Sequence, residues 1–117
     1  MTTKAIDKAR RIVEIASDKL ASDIALLDTR GVCGFADFFV IVSGESERQL
    51  DAISDEIAQS LKKDGGMAPL HREGAAASGW MLLDYGDIIV HIFSPTERQY
   101  YKLDEMWGAA KSLVRMA

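Results

Sequence analysis

The sequence holds one cysteine, Cys33, in 117 residues. A single thiol forms neither an internal disulfide nor a CxxC metal pair, which fits a reducing compartment. Two prolines and nine glycines are too few for a disordered tail. Cations are in deficit: 14 Lys and Arg stand against 18 Asp and Glu, for a net charge of −4. That argues against a nucleic-acid backbone as the main direct ligand and suits a basic protein partner. No apolar run approaches the ~20 residues of a membrane span. The first residues, with Lys4, Asp7, Lys8, Arg10 and Arg11, carry no apolar h-region and so no secretory signal. The expected location is the cytoplasm, with no membrane partner.

Nearly half of the chain is hydrophobic, enough for the core of one domain. Ala5, Ala9, Ile12, Ala16 and Leu20 recur at helical spacing, which predicts a helix over 4–20. Residues 23–28 (DIALLD) read as a strand buried on both faces, and 38–42 (FFVIV) as a second strand. Ser46 and Gln49 form a capping-box pattern before the stripe Leu50, Ile53, Ile57 and Leu61, with Gly65 or Gly66 as the stop. Residues 67–79 read as a loop with a short strand around Leu70–Arg72. Two apolar runs, 80–85 and 88–93, are separated only by Gly86 and Asp87, a hairpin signal. Ser94, Pro95 and Glu97 open a last helix whose stripe is Tyr100, Leu103, Trp107, Ala110 and Val114.

A two-residue turn places Tyr85 opposite Ile88, Leu83 opposite Val90 and Met81 opposite Ile92 on one face, which should pack on helices. The other face carries Trp80, Leu82 and Asp84 opposite Phe93, His91 and Ile89. Two readings of this mixed face stand side by side. It is a core face with a satisfied Asp–His hydrogen bond or a face under a helix, or it is a protein-binding surface with Trp80 as anchor.

Signals of catalysis are weak. Asp84, Asp87 and His91 need not converge on a metal, and Cys33 has no local support as a nucleophile with His71 or His91. Ser43-Gly44-Glu45-Ser46 stands where phosphate loops occur, but it has one glycine and no GKS/T. Arg98 is expected to pair with an acidic neighbour.

The run WMLLDYGDIIVHIF, followed by R-x-Y-Y-x-L-(acid)-x-x-W from Arg98 to Trp107, resembles the ribosomal silencing factor (Iojap-related) family. So do Asp23 to Asp28, Ala36 to Ile41, Ser43-Gly44-x-Ser46-x-Arg48-Gln49 and Glu73-Gly74. Together these motifs cover roughly 20–107, and their order and spacing are specific. Asp104 stands where the family more often has Glu, and Phe38 where Tyr is common. The resemblance implies a single α/β domain over 1–117: a mixed β-sheet flanked by helices, similar to the nucleotidyltransferase fold. The core would span about 4–107, with a helical extension at 108–117.

Leu82-Leu83-Asp84-Tyr85 lacks the Asp-x-Asp pair of a nucleotidyltransferase, so neither catalysis nor a cofactor is expected. A phosphate-handling enzyme and a plain dimerisation module are the alternatives. The family's function implies binding to the large ribosomal subunit through its ribosomal protein fourteen, blocking subunit joining and repressing translation when nutrients are scarce. Homodimers are also implied. Carried over by motif, the contact residues are Trp80, Leu82, Asp84, His91 and Phe93, with Asp87, Tyr100, Tyr101 and Glu105 as further members.

Overall fold

The computed structural model describes residues 5–32, 34, 36–102 and 110–116. The expectations placed on Cys33, Leu103, Asp104, Glu105 and Trp107 lie outside these residues. Three α-helices are described: α1 (Ala5–Asp18), α2 (Glu47–Gly65) and α3 (Pro95–Tyr101). The strands are β1 (Ser22–Asp28), β2 (Phe38–Ser43), β3 (His71–Ala75), β4 (Trp80–Asp84), β5 (Ile88–Phe93) and β6 (Lys111–Met116). They form one mixed sheet in the order β3-β4-β5-β2-β1-β6. β2 and β5 run parallel at its centre, and every other pair is antiparallel. The architecture is a mixed α/β sheet flanked by helices, as expected. No helix among the described residues is long and apolar enough to cross a membrane.

The main core lies between one sheet face and the first two helices. Ala9, Ile12 and Ala16 of α1 and Leu50, Ile53, Ile57 and Leu61 of α2 meet Ile24, Leu26, Val40, Val42, Leu83, Val90 and Ile92. These side chains alternate along each strand, so one face of the pleat becomes continuously apolar. α2 starts where its cap predicts: the Gln49 N–H donates to Ser46 Oγ at 3.1 Å. It stops at Gly66, whose left-handed φ of 70° lets its N–H reach back to Lys62.

The hairpin has the expected register: Trp80 faces Phe93, Leu82 faces His91, and Asp84 faces Ile89. Gly86 (φ 87°) and Asp87 make the turn, and the Tyr85 N–H donates to the Ile88 carbonyl at 2.9 Å. Tyr85 is buried on the helix-facing side, and its hydroxyl has no hydrogen-bond partner. Burial pushes the phenol up to about 12. Tyr85→Phe keeps the ring and deletes the orphan donor, so it should stabilise the fold by about 1 kcal/mol. A lower midpoint of urea unfolding would refute that.

Two expectations need correction. The last helix does not run on to Val114. It ends at Tyr101, because Lys102 adopts a left-handed φ of 50° and caps it. The expected helical extension at 108–117 is instead a strand over Lys111–Met116, paired antiparallel with β1. Helical spacing could not anticipate this, because the open edge of β1 supplies the hydrogen bonds that decide it. The loop around Leu70–Arg72 also contains more strand than expected. β3 runs to Ala75 although all five of its residues are exposed, since backbone pairing to β4 and not burial makes it.

Candidate functional site

The second sheet face gathers Ala25, Leu27, Phe39, Ile41, Ile89 and Phe93 into a separate cluster, with Trp80, Leu82 and Ala110 packed on it. That cluster contains no residue of α1 or α2. Across β4 and β5 the aromatic groups form a ladder. Trp80 stacks on Phe93 at 5.5 Å between ring centroids, and Phe93 on His91 at 5.9 Å. Phe39 meets the imidazole edge-on at 5.2 Å.

His91 is buried, and its Nδ1 accepts the Trp80 indole N–H at 3.3 Å. That contact makes Nδ1 the bare nitrogen and puts the proton of the neutral ring on Nε2. Nε2 is itself buried with no partner. Burial holds the imidazole at a pKa of about 4, so the ring is neutral at physiological pH. The Asp–His hydrogen bond that the core-face reading offered does not form. Asp84 turns to its own hairpin instead, where Oδ1 accepts the Gly86 N–H at 2.7 Å.

The site residues expected from sequence therefore divide. Trp80, Leu82 and Asp84 are half-buried, leaving part of each side chain at the surface. His91 and Phe93 are buried and back them from within the chain. Trp80 and Leu82 share a cleft of about 300 Å³ with Glu73, Gly74 and Ser78, from the segment expected to be mostly loop. Asp87 is engaged internally: its carboxylate accepts from Lys8 Nζ at 3.2 Å, and its carbonyl accepts the N–H groups of Asp37 and Phe38. It ties the hairpin turn to α1 and β2. Tyr100 is 76% exposed on α3. Tyr101 ends that helix, with its side chain outside the described residues, as Glu105 is altogether.

Among the described residues, which do not include Cys33, the candidate catalytic groups do not assemble. Among the described residues no three His, Cys, Asp or Glu side chains come together as metal ligands. His71 is exposed on β3 while His91 is buried on β5. Ser43-Gly44-Glu45-Ser46 is accounted for by helix packing. Gly44 lies so close to α2 that an added Cβ would stand 2.9 Å from Leu50 Cδ2. The Gln49 amide closes the same turn, accepting from the Glu45 N–H at 2.7 Å and donating to the Leu20 carbonyl at 2.8 Å.

Arg98 pairs with an acidic neighbour, as expected, but across the fold. Its guanidinium faces the Asp23 carboxylate at 3.6 Å, donates to the Asp23 carbonyl, and reaches Ser43 Oγ at 3.1 Å. Sequence reasoning assigned Asp23 and Ser43 no such role, because nothing local links positions 23, 43 and 98.

Comparison with known proteins agrees with this architecture. A solved structure of a Chromobacterium violaceum protein superposes with a TM-score of 0.86 at 28% identity, covering 98% of this chain and 97% of that one. One from Bacillus halodurans gives 0.75 at 33% identity, covering 87% and 94%. In sequence, the ribosomal silencing factor RsfS of Bacillus subtilis is 39% identical over 105 residues, 86% of this chain and 88% of its own. The chloroplastic protein Iojap of Zea mays is 34% identical over 99 residues, 85% of this chain and 42% of its own. The family model described as "ribosomal silencing factor during starvation" matches residues 2–116. With its motifs in order, its sheet superposed and nearly its whole length matched, the chain belongs to the ribosomal silencing factor family.

Proposed function

We propose that this protein represses translation without catalysing a reaction. It binds the large ribosomal subunit through ribosomal protein fourteen and keeps the small subunit from joining when nutrients are limiting. One observation carries the placement of the contact. Trp80 and Leu82 are half-exposed beside a cleft, with the carboxylates of Glu73 and Asp84 near them on β3 and β4 and a rigid aromatic ladder behind. An indole held in place by stacking loses little entropy on binding, which is what a protein-interface anchor requires. The net charge of −4 complements a basic ribosomal protein and speeds encounter. Family membership supplies the ribosomal context. On this reading the protein works in the cytoplasm, and a catalytic carboxylate pair is not needed.

The test is co-sedimentation with purified large subunits. The natural chain should pellet with them. Trp80→Ala should weaken binding by at least ~2 kcal/mol, about thirtyfold, while its circular dichroism stays that of the natural chain. Equal binding by a folded Trp80→Ala chain would move the contact elsewhere. A natural chain that stays in the supernatant would end the ribosomal reading.

A further inference from the structure

The sheet ends in β3 on one side and β6 on the other. β6 holds no carboxylate and lies at the far end from the Trp80 cleft. β3 borders that cleft, and all five of its residues are exposed. Among the described residues no further strand lies beyond it. Natural sheets blunt such an edge with Lys, Pro or a covering segment, because its outward N–H and C=O groups invite another chain. The run HREGA has neither Lys nor Pro.

The ladder sets which groups of β3 turn outward. The Tyr85 N–H donates to the Ile88 carbonyl, so Tyr85–Ile88 is a hydrogen-bonded pair, and Leu83–Val90 and Met81–Ile92 follow at a period of two. That leaves Trp80, Leu82 and Asp84 of β4 to bond their β3 partners Ala75, Glu73 and His71. The Asp84 carbonyl does face β3, where it accepts the Leu70 N–H at 2.7 Å. Arg72 and Gly74, between those partners, direct their N–H and C=O groups away from β4. The Arg72 side chain is drawn off this edge to α2, where Nη2 donates to Ser54 Oγ at 2.9 Å and to Asp55 at 3.2 Å. Gly74 has no side chain to cover its own backbone. The face beside the edge carries the carboxylates of Glu73 and Asp84 with Trp80 and Leu82. β3 and β4 contain one cation, Arg72, and it pairs with Asp55 on the helix side. An extended segment laid along β3 sends alternate side chains over that face, where a basic one meets Glu73 and an apolar one meets the cleft.

We infer that an extended, basic segment of the partner ribosomal protein adds to this six-stranded sheet as a further strand, bonded to the outward N–H and C=O groups of Arg72 and Gly74. The inference rests on the ribosomal reading and states how that contact is made. Main-chain bonds along β3 supply affinity, and the pocket beside Trp80 supplies selectivity.

The test compares Arg72→Pro with Arg72→Ala in calorimetric titrations with purified ribosomal protein fourteen. Both variants lose the contacts to Ser54 and Asp55. Only proline also removes the outward N–H, at an edge position where no bond to β4 is lost. Arg72→Pro should bind about tenfold more weakly than Arg72→Ala, with unchanged circular dichroism in both. In the complex of the natural chain, NMR should show contacts between backbone protons of β3 and of the bound segment, and the Arg72 and Gly74 amides should exchange about tenfold more slowly than in the free chain. This second readout decides if Arg72→Pro does not fold. Equal binding by the two folded variants, or a complex without those backbone contacts, overturns the strand pairing. If Trp80→Ala still weakens binding in that case, the ribosomal reading stands without it. A natural chain that does not bind the isolated ribosomal protein overturns that partner and the strand pairing together.

Discussion

Gly74→Ala is expected to destabilise the protein by about 3 kcal/mol, among the larger effects a single methyl can have. Two costs add. Gly74 has a φ of 79°, where an L side chain is disfavoured by about 1–2 kcal/mol. Its added Cβ would also stand 2.1 Å from the Trp80 carbonyl oxygen and 3.3 Å from Met81 Cα. Both are backbone atoms, so no side-chain rotation relieves the clash. Gly74 pairs directly with Met81, so the only escape is to part β3 from β4. Because β3 is an edge strand, the loss is capped at the cost of freeing it. The same displacement removes one wall of the Trp80 cleft, so on the proposed function ribosome binding should fall along with stability. Urea unfolding measures the first effect. A change within 1 kcal/mol would mean that β3 is already free in solution.

Acidification should cost stability on the order of 3 kcal/mol through His91 alone. The folded imidazole titrates at about 4, against 6.5 for a free one, because burial disfavours its charged form. Between these values the unfolded chain binds more protons than the folded one. The stability tied to the neutral ring is therefore fully present above pH 6.5 and is lost progressively as pH falls toward 4. The slope approaches 1.4 kcal/mol per pH unit. His91→Gln keeps an acceptor for the Trp80 indole and has no proton to gain. It should remove this share of the acid sensitivity and leave the part due to carboxylates. Parallel stability–pH curves for the two chains between pH 6.5 and 4 would show that His91 does not titrate in this way.

Much of the fold is legible in local pattern. The stripe Leu50, Ile53, Ile57 and Leu61 behind Ser46 sets α2, and the Gly86–Asp87 link fixes a register that divides Met81, Leu83 and Tyr85 from Trp80, Leu82 and Asp84. What local pattern could not supply was pairing between distant segments. The residues 111–116 carry Leu113 and Val114 at positions that suit either a helix or a strand, and only β1 decides between them. β3 has no buried side chain to announce it. The same holds for the sites. Trp80 could be read as an anchor from its composition and its face. That His91 bonds Trp80, while Asp84 bonds its own hairpin turn, depended on geometry across two strands. The contacts of Arg98 draw on positions 23, 43 and 98, which no spacing rule connects.

The parallel pairing of β2 with β5 at the centre of the sheet has a kinetic consequence. Phe38 and Ile88 are neighbours in space but fifty positions apart in the chain. The β4–β5 hairpin is local and can close in about 1–10 μs. The sheet gains its middle only when that hairpin finds β2 across a long loop, and the closure entropy is spent before any contact rewards it. Docking of the hairpin onto β2 is thus expected to be the slow event of folding. Weakening the Val40–Val90 contact should lower the folding rate, whereas weakening α3 or β6 should mainly hasten unfolding.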